Sequence, residues 1–386
     1  MSWPRDDAKL ARVRDLMAER ELDALVVRAP DNVLYLSNYW GMKGYDVCVF
    51  PRAGEPVLIC LEASEEDAQR MAWTTEVRFF KGYDPSDPRP PTLRALDVAK
   101  EVAAEYGNIG LELSLGTQAS DRMVGEPTSF THDWFHAFGT DVEDATPLLA
   151  EARAVKTEQE LERMRLANEI AAAAMEHCRL IIEPGMSEAE IAAEWQGFVH
   201  GEGTGWEGKV ELALGFSLVW SGPGIKTFTA TTSRPVVEEE PTLFEIWVCA
   251  DGYWCDHTKN LVVGELTPAY RELEEGLMAV YADAIDFARP GASLAELDRR
   301  IREGIAEMGY PGQPSHPICH GVGARAHEPP YAHQAGGGEI AEGMVLAIEP
   351  GCYIEGGGGL RVEDNFLITE QGAEKLSPFP DGIVAT

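Results

Sequence analysis

The stretch LFEIWVCADGYWCDHTKN, residues 243–260, is an apolar, aromatic hairpin that carries one carboxylate at Glu245 and a second at Asp256. An Asp-Gly pair between two β-prone runs signals a two-residue turn, whose central positions need positive φ. With Asp251 and Gly252 as that turn, Trp247 falls opposite Asp256. Side chains two apart on a strand share a face, so Glu245, Trp247 and Asp256 point the same way. Two carboxylates so close repel unless a cation lies between them, one holds a proton, or the face is open to water. The hairpin by itself leaves all three open.

Upstream of the hairpin, TEQE places Thr157 and Glu160 as a capping box that opens a long helix with apolar Leu161, Met164 and Ile170. A weak repeat follows: EPGMSEAEI at 183–191 and RPGASLAEL at 289–297, 106 positions apart. Each is a Pro-Gly turn, then a serine cap with a glutamate three residues on, and each is followed by sheet-like sequence. Two similar halves about a shared antiparallel sheet would put a cleft between them. The first 148 or so residues differ in pattern. Residues 7–20 read as a helix, DALVVRA and NVLYLS as strands, and DVCVFPRAGEPVLIC as a hairpin turning at Ala53-Gly54. The expectation is an α+β chain of two domains, a small α/β domain over 1–150 and a larger one over 151–386. DPSDPRPPT and GEPTSFTHDWFHAFGT say little.

At 386 residues the chain suits two or three domains, and 45% hydrophobic with 25% charged residues is an ordinary globular balance. A formal net charge of -33 disfavours nucleic acid and acidic membranes, whose phosphates it would repel. No run approaches the roughly 18 apolar residues that span a bilayer, and MSWPRDDAKL lacks the apolar core of a signal peptide, so the expected location is cytoplasmic. Seven scattered cysteines without a CxxC pair read as small buried thiols.

Downstream, HPICHGVGARAHEPP holds His316, His320 and His327, at spacings of four and seven. Neutral imidazole is both a metal ligand and a proton carrier near neutral pH. VLAIEPGCY ends an apolar strand on Glu349, and fourteen residues later GLRVEDNFLIT puts Glu363 inside another. Singly, each has a structural reading: a satisfied core histidine, or a glutamate at a solvated strand end. Together with the hairpin they form one histidine and four carboxylates, an oxygen-rich set suited to Mn, Co, Fe or Zn in a two-metal hydrolytic site.

HGVG, HEPP, AIEPG and RVED, with the acidic pair at a spacing of eleven, resemble the methionine aminopeptidase, prolidase and creatinase superfamily of pita-bread fold. The stretch APDNVLYLSNYW resembles its N-terminal creatinase/prolidase domain, so the likeness covers nearly the whole chain. The histidine and glutamate spacings match the Xaa-Pro dipeptidase and aminopeptidase branch. The resemblance implies that Asp256 and Glu363 bridge two metal ions, that His320 and Glu349 each bind one, and that Glu245 stands in the place of the first ligand. It implies that His327 and His316 hold substrate and stabilise the tetrahedral intermediate, with Glu349 as proton shuttle and Arg361 orienting carboxylates. It further implies a homodimer in which Trp40 is a wall residue of the partner's site.

The chain departs from the family pattern in three places. The first ligand is usually aspartate, and Glu245 is one methylene longer. A histidine usually lies about 17–18 residues before that ligand, where this chain has Thr227 and Phe228. Trp247 stands where a small residue is usual, so Trp247 and Phe228 become candidate substrate-binding residues. Three readings follow. One is a metal-dependent hydrolase of prolidase or Xaa-Pro aminopeptidase type that cleaves an amide bond of a small peptide with a metal-bridging hydroxide, using two divalent ions, Mn foremost, of which one or both are absent if Glu245 displaces them. The second is a metal-free creatinase- or ectoine-hydrolase-like enzyme opening a C–N bond in a small zwitterion by acid–base catalysis. The third is an inactive binding homologue.

Overall fold

The computed structural model describes residues 3–41, 45–113, 128–139, 142–227 and 229–386, with 128–132 as backbone only. Two compact units emerge, Met1–Arg153 and Ala154–Thr386. The first contains α1 (Asp7–Glu19), β1 (Ala24–Val27), α2 (Pro30–Ser37), β2 (Val47–Pro51), β3 (Val57–Leu61), α3 (Glu65–Met71), β4 (Val77–Phe80), α4 (Pro91–Ala103), β5 (Ile109–Leu111), α5 (Thr128–Phe138), β6 (Glu143–Asp144) and α6 (Thr146–Ala154). Its sheet runs β4-β3-β2-β1-β5-β6. Leu25, Val27, Cys48 and Phe50 pack on one face with Leu10, Val13 and Met17 of α1. Ala24, Val26, Val47 and Val49 pack on the other with Ala95, Leu96 and Ala99 of α4. Helices cover both faces, which is why these strands read as unbroken apolar runs. Trp40 follows α2 and is half-buried.

One element differs from its sequence reading. NVLYLS is the body of helix α2, not a strand. Pro30 supplies the preset φ of a first helical turn and Asp31 complements that end of the dipole, while Asn38 closes the helix in the left-handed region at φ 61. Those cues outweigh the apolar run.

The second unit contains α7 (Glu158–Ile181), α8 (Glu188–Gly203), β7 (Ala213–Ser221), β8 (Pro241–Ala250), β9 (Tyr253–Val262), α9 (Pro268–Phe287), α10 (Leu294–Glu307), β10 (Cys319–Gly321), β11 (Glu328–Tyr331), β12 (Val345–Ile348), β13 (Gly351–Ile354), β14 (Gly358–Arg361), β15 (Asp364–Thr369), β16 (Gly372–Lys375) and β17 (Ile383–Ala385). Two sheets result, ordered β17-β9-β8-β7 and β11-β10-β12-β15-β16, with β13 and β14 as a separate ribbon. α7 packs on β8 and β9, while α9 and α10 share a core with β12 and β15.

The sequence repeat is a repeat of structure. Gly185 and Gly291 turn at φ 92 and 84, and Ser187 and Ser293 each cap a helix by accepting the N–H three residues on. The Gly185 N–H donates to Val236 O at 3.0 Å and the Gly291 N–H to Ile340 O at 2.8 Å. Ser187 bridges Pro235 as Ser293 bridges Glu339. Two helix-backed halves thus meet where β9 crosses residues 361–365, at one isolated bridge between Thr258 and Glu363.

Candidate metal centre and active site

The β8–β9 hairpin turns at Asp251 and Gly252, both at positive φ, and pairs Trp247 with Asp256. Asp256 lies mid-strand on β9, Glu245 and Trp247 on β8, His320 on β10, and Glu349 one residue beyond β12. Glu363 sits in the join between β14 and β15 rather than inside a strand, because the chain breaks its ladder there to cross β9. One ligand atom each from His320, Glu349 and Glu363 lies within 4.8 Å of the others, and so it is for Glu245, Asp256 and Glu363. Asp256, His320 and His327 form a third such group. Asp256, His320 and Glu363 are each about 1% exposed.

The hydrogen bonds fix which atoms are available. His320 Nδ1 faces the Gly321 carbonyl at 3.0 Å, and since a carbonyl only accepts, Nδ1 carries the proton. Nε2 then turns its lone pair toward Glu349 Oε1 at 3.4 Å and Asp256 Oδ2 at 3.6 Å. Among the described residues neither Asp256 oxygen nor His320 Nε2 takes part in a hydrogen bond. Buried lone pairs aimed at one another are costly without a proton or cation between them, so the donor set fits a divalent ion. A neutral imidazole with hard carboxylates is the chemistry such ions take.

Electrostatics carry the same mark. Burial, with the charges of Glu363 and Glu349, holds the Asp256 carboxyl well above the usual range. Burial and Glu349 push Glu363 to about 7. Burial works upward on Glu349 too, but His316 and His320 outweigh it and bring it down to about 2. Burial and the neighbouring His320 lower His327 to about 3.

His316 Nδ1 lies 2.6 Å from Pro317 O and 3.3 Å from Glu349 Oε2, leaving Nε2 to accept from the Tyr353 hydroxyl at 3.1 Å. Arg361 Nη1 in turn donates to that hydroxyl at 2.9 Å. The Arg361 guanidinium also lies against Glu245, and its Nε donates to Thr258 Oγ1 at 2.7 Å. Thr258 Oγ1 donates to Glu363 at 2.7 Å. His327 Nε2 is 3.3 Å from Asp256 Oδ2, and its ring is 6.2 Å from Trp247, which stacks on Phe216 at 5.4 Å.

The structure therefore gathers Glu245, Trp247, Asp256, His316, His320, His327, Glu349, Arg361 and Glu363. Phe228 lies outside the described residues, Thr227 stands beside Tyr353, and Trp40 belongs to the first unit. Sequence reasoning missed Tyr353 and Thr258. Tyr353 follows Glu349 by four residues but lies on the next strand, β13, and that spacing carried no signal.

A helix-backed, twofold-repeated pita-bread unit with this cluster where its halves meet defines a peptidase-type hydrolase. The description of metallopeptidase family M24 matches residues 162–370, and that of the creatinase/prolidase N-terminal domain matches 9–166. The chain belongs to metallopeptidase family M24. It is 28% identical over 375 residues to the Xaa-Pro dipeptidase of Lactobacillus delbrueckii subsp. lactis, covering 94% of this chain and 95% of the relative. The Xaa-Pro dipeptidase of Pyrococcus furiosus is 27% identical over 370 residues, covering 96% and 97%. The solved prolidase of Pyrococcus furiosus superposes with a TM-score of 0.76 at 26% identity, covering 95% of this chain and 99% of that one. That of Pyrococcus horikoshii gives 0.80 at 24%, covering 97% and 99%.

Proposed function

We propose that this chain is a metal-dependent hydrolase that cleaves the amide bond of a small Xaa-Pro peptide. The observation that carries the reading is the convergence of Asp256, His320, Glu349 and Glu363, in which both Asp256 oxygens and His320 Nε2 take no hydrogen bond among the described residues. In this reading Glu245, Asp256, His320, Glu349 and Glu363 are the residues that would hold the divalent ions. Divalent ions held there, Mn foremost or Co, Fe or Zn, supply a Lewis acid for the amide carbonyl and lower the pKa of water.

The side chains do the rest. Glu349, poised between two imidazoles, takes a proton and returns it to the leaving amine. His327, kept neutral by burial, offers a hydrogen bond to substrate, while His316, its Nδ1 turned to Pro317 O and Glu349 and its Nε2 to the Tyr353 hydroxyl, orients Glu349. The Arg361 guanidinium lies against Glu245 and, with its Nε 3.9 Å from Glu363, orients both carboxylates. Trp247 on Phe216 forms an aromatic wall that favours short substrates. The names of the two dipeptidase relatives support a peptide of that size. The reading extends to a cytoplasmic homodimer, and no described helix is long and apolar enough to cross a membrane.

The test is elemental analysis of protein purified without chelator, then a panel of Xaa-Pro dipeptides, longer Xaa-Pro peptides, creatine and ectoine, with and without Mn. Mn-dependent dipeptide turnover is the expected result. Turnover of creatine or ectoine by chelated protein overturns it in favour of metal-free chemistry.

A further inference from the structure

The two halves of the second unit meet at a seam that is not an ordinary β-ladder. β9 and residues 361–365 run antiparallel, yet they share a single bridge, in which the Glu363 N–H donates to Thr258 O at 3.3 Å. If pairing continued outward from that bridge, 256 would face 365 and 260 would face 361. At both places a side chain supplies the bond instead. Asn365 Oδ1 accepts from the Asp256 N–H at 3.0 Å and Asn365 Nδ2 donates to Asp256 O at 2.9 Å. Asn260 Nδ2 donates to Arg361 O at 2.8 Å.

An amide side chain spliced between two backbones holds them further apart than the roughly 4.7–4.9 Å of a direct ladder. We propose that Asn365 and Asn260 are positioning residues that hold the strands open at this seam and so set the separation of the Asp256 and Glu363 carboxylates. The inference rests on the proposed metal-binding reading of those two residues.

Three observations support it. Both asparagines are fully buried, so neither amide has water as an alternative partner. They act on the main chain of Asp256 and of Arg361, so their bonds fix the backbone on both sides of the cluster. On the opposite face of the same strands, Lys259 and Asp364 form a buried ion pair, with His257 Nε2 at 3.4 Å and Lys375 at 3.1 Å from Asp364. Lys259 follows Thr258 and Asp364 follows Glu363, so this cluster ties the two strands together from behind. Sewn in front by amides and behind by charges, the seam has one spacing.

Protein stripped of metal is titrated with Mn(II), free ion being read by electron paramagnetic resonance, and its metal-free Tm is recorded. The variants are Asn365→Leu and Asn260→Ala, with Leu277→Ala, a core position on α9 whose side chain makes none of the seam's hydrogen bonds, as control. Both seam variants are expected to weaken Mn binding about ten- to hundredfold, as loss of groups that orient ligands does. Leu277→Ala is expected to lower Tm and leave Mn affinity unchanged, a split that general destabilisation does not produce. If one seam variant fails to fold, the other decides. Folded seam variants that bind Mn within twofold of the parent overturn the proposal, and so does failure of both to fold even with Mn, which assigns the asparagines to the fold alone. A parent that binds no Mn overturns the proposed function itself, and this inference with it.

Discussion

His327 takes its role from its surroundings: with its pKa lowered to about 3 by burial and by His320, it is neutral at any working pH and bonds without titrating. His327→Ala is therefore expected to lower kcat/KM on an Xaa-Pro dipeptide by about 10²–10⁴-fold while Mn stoichiometry stays that of the parent; a loss of metal would make the residue a ligand instead. In the first unit, burial raises Asp46 to about 7, against the donors of its own N–H and that of Leu61. A carboxyl raised in the folded state contributes stability present below its unfolded pKa and lost as pH rises through the folded one. Asp46→Asn should gain on the parent by up to about 1.4 kcal/mol per pH unit between roughly pH 4 and pH 7, then level off. Urea midpoints at pH 5 and pH 8 check it, and an equal difference at both removes the role. The charged members of the cluster were legible in sequence because carboxylates and histidines stand out inside apolar strands. Tyr353, Thr258 and Asn365 were not, since a hydroxyl or amide means nothing until its partner, often over a hundred positions away, is known.

Among elements, the local signals read well. The capping box at Thr157 is present in full, each partner bonding the other's backbone N–H. Thr157→Ala should lower unfolding free energy by about 1 kcal/mol, measured by urea denaturation, because it strands helix-end donors; an unchanged midpoint would mean that α7 is held by its packing alone. The repeated Pro-Gly turn and serine cap were legible for the same reason, being written in neighbouring residues. α2 was misread because its apolar face and its apolar back are both covered, so the period that separates helix from strand is blurred. The hairpin register was legible from its turn. The break between β14 and β15 at Glu363 was not, because it is imposed by a crossing with β9 that no local pattern encodes.

For the molecule as a whole, the proposed metal-binding reading makes the metal a completing part of the fold. Two of the cluster's carboxyls, Asp256 and Glu363, are pushed upward by burial, which means the metal-free fold holds charge it would rather shed. An ion that binds the native cluster but not the unfolded chain stabilises by RT ln(1 + [L]/Kd), about 2.7 kcal/mol at a hundredfold excess over Kd. For a unit of this size that is a Tm rise of about 5–10 °C, at about 2–4 °C per kcal/mol. Metal-stripped protein should therefore melt higher as Mn(II) is added, with the rise growing logarithmically in free Mn. In Asp256→Asn, which keeps the shape of the side chain but gives up its carboxylate, the metal-free Tm should hold or increase, since a disfavoured buried charge is gone. Its response to Mn should nearly vanish. The opposing pattern, a variant that is less stable without metal yet still rises with Mn like the parent, would make Asp256 a structural residue and move the binding site elsewhere in the molecule.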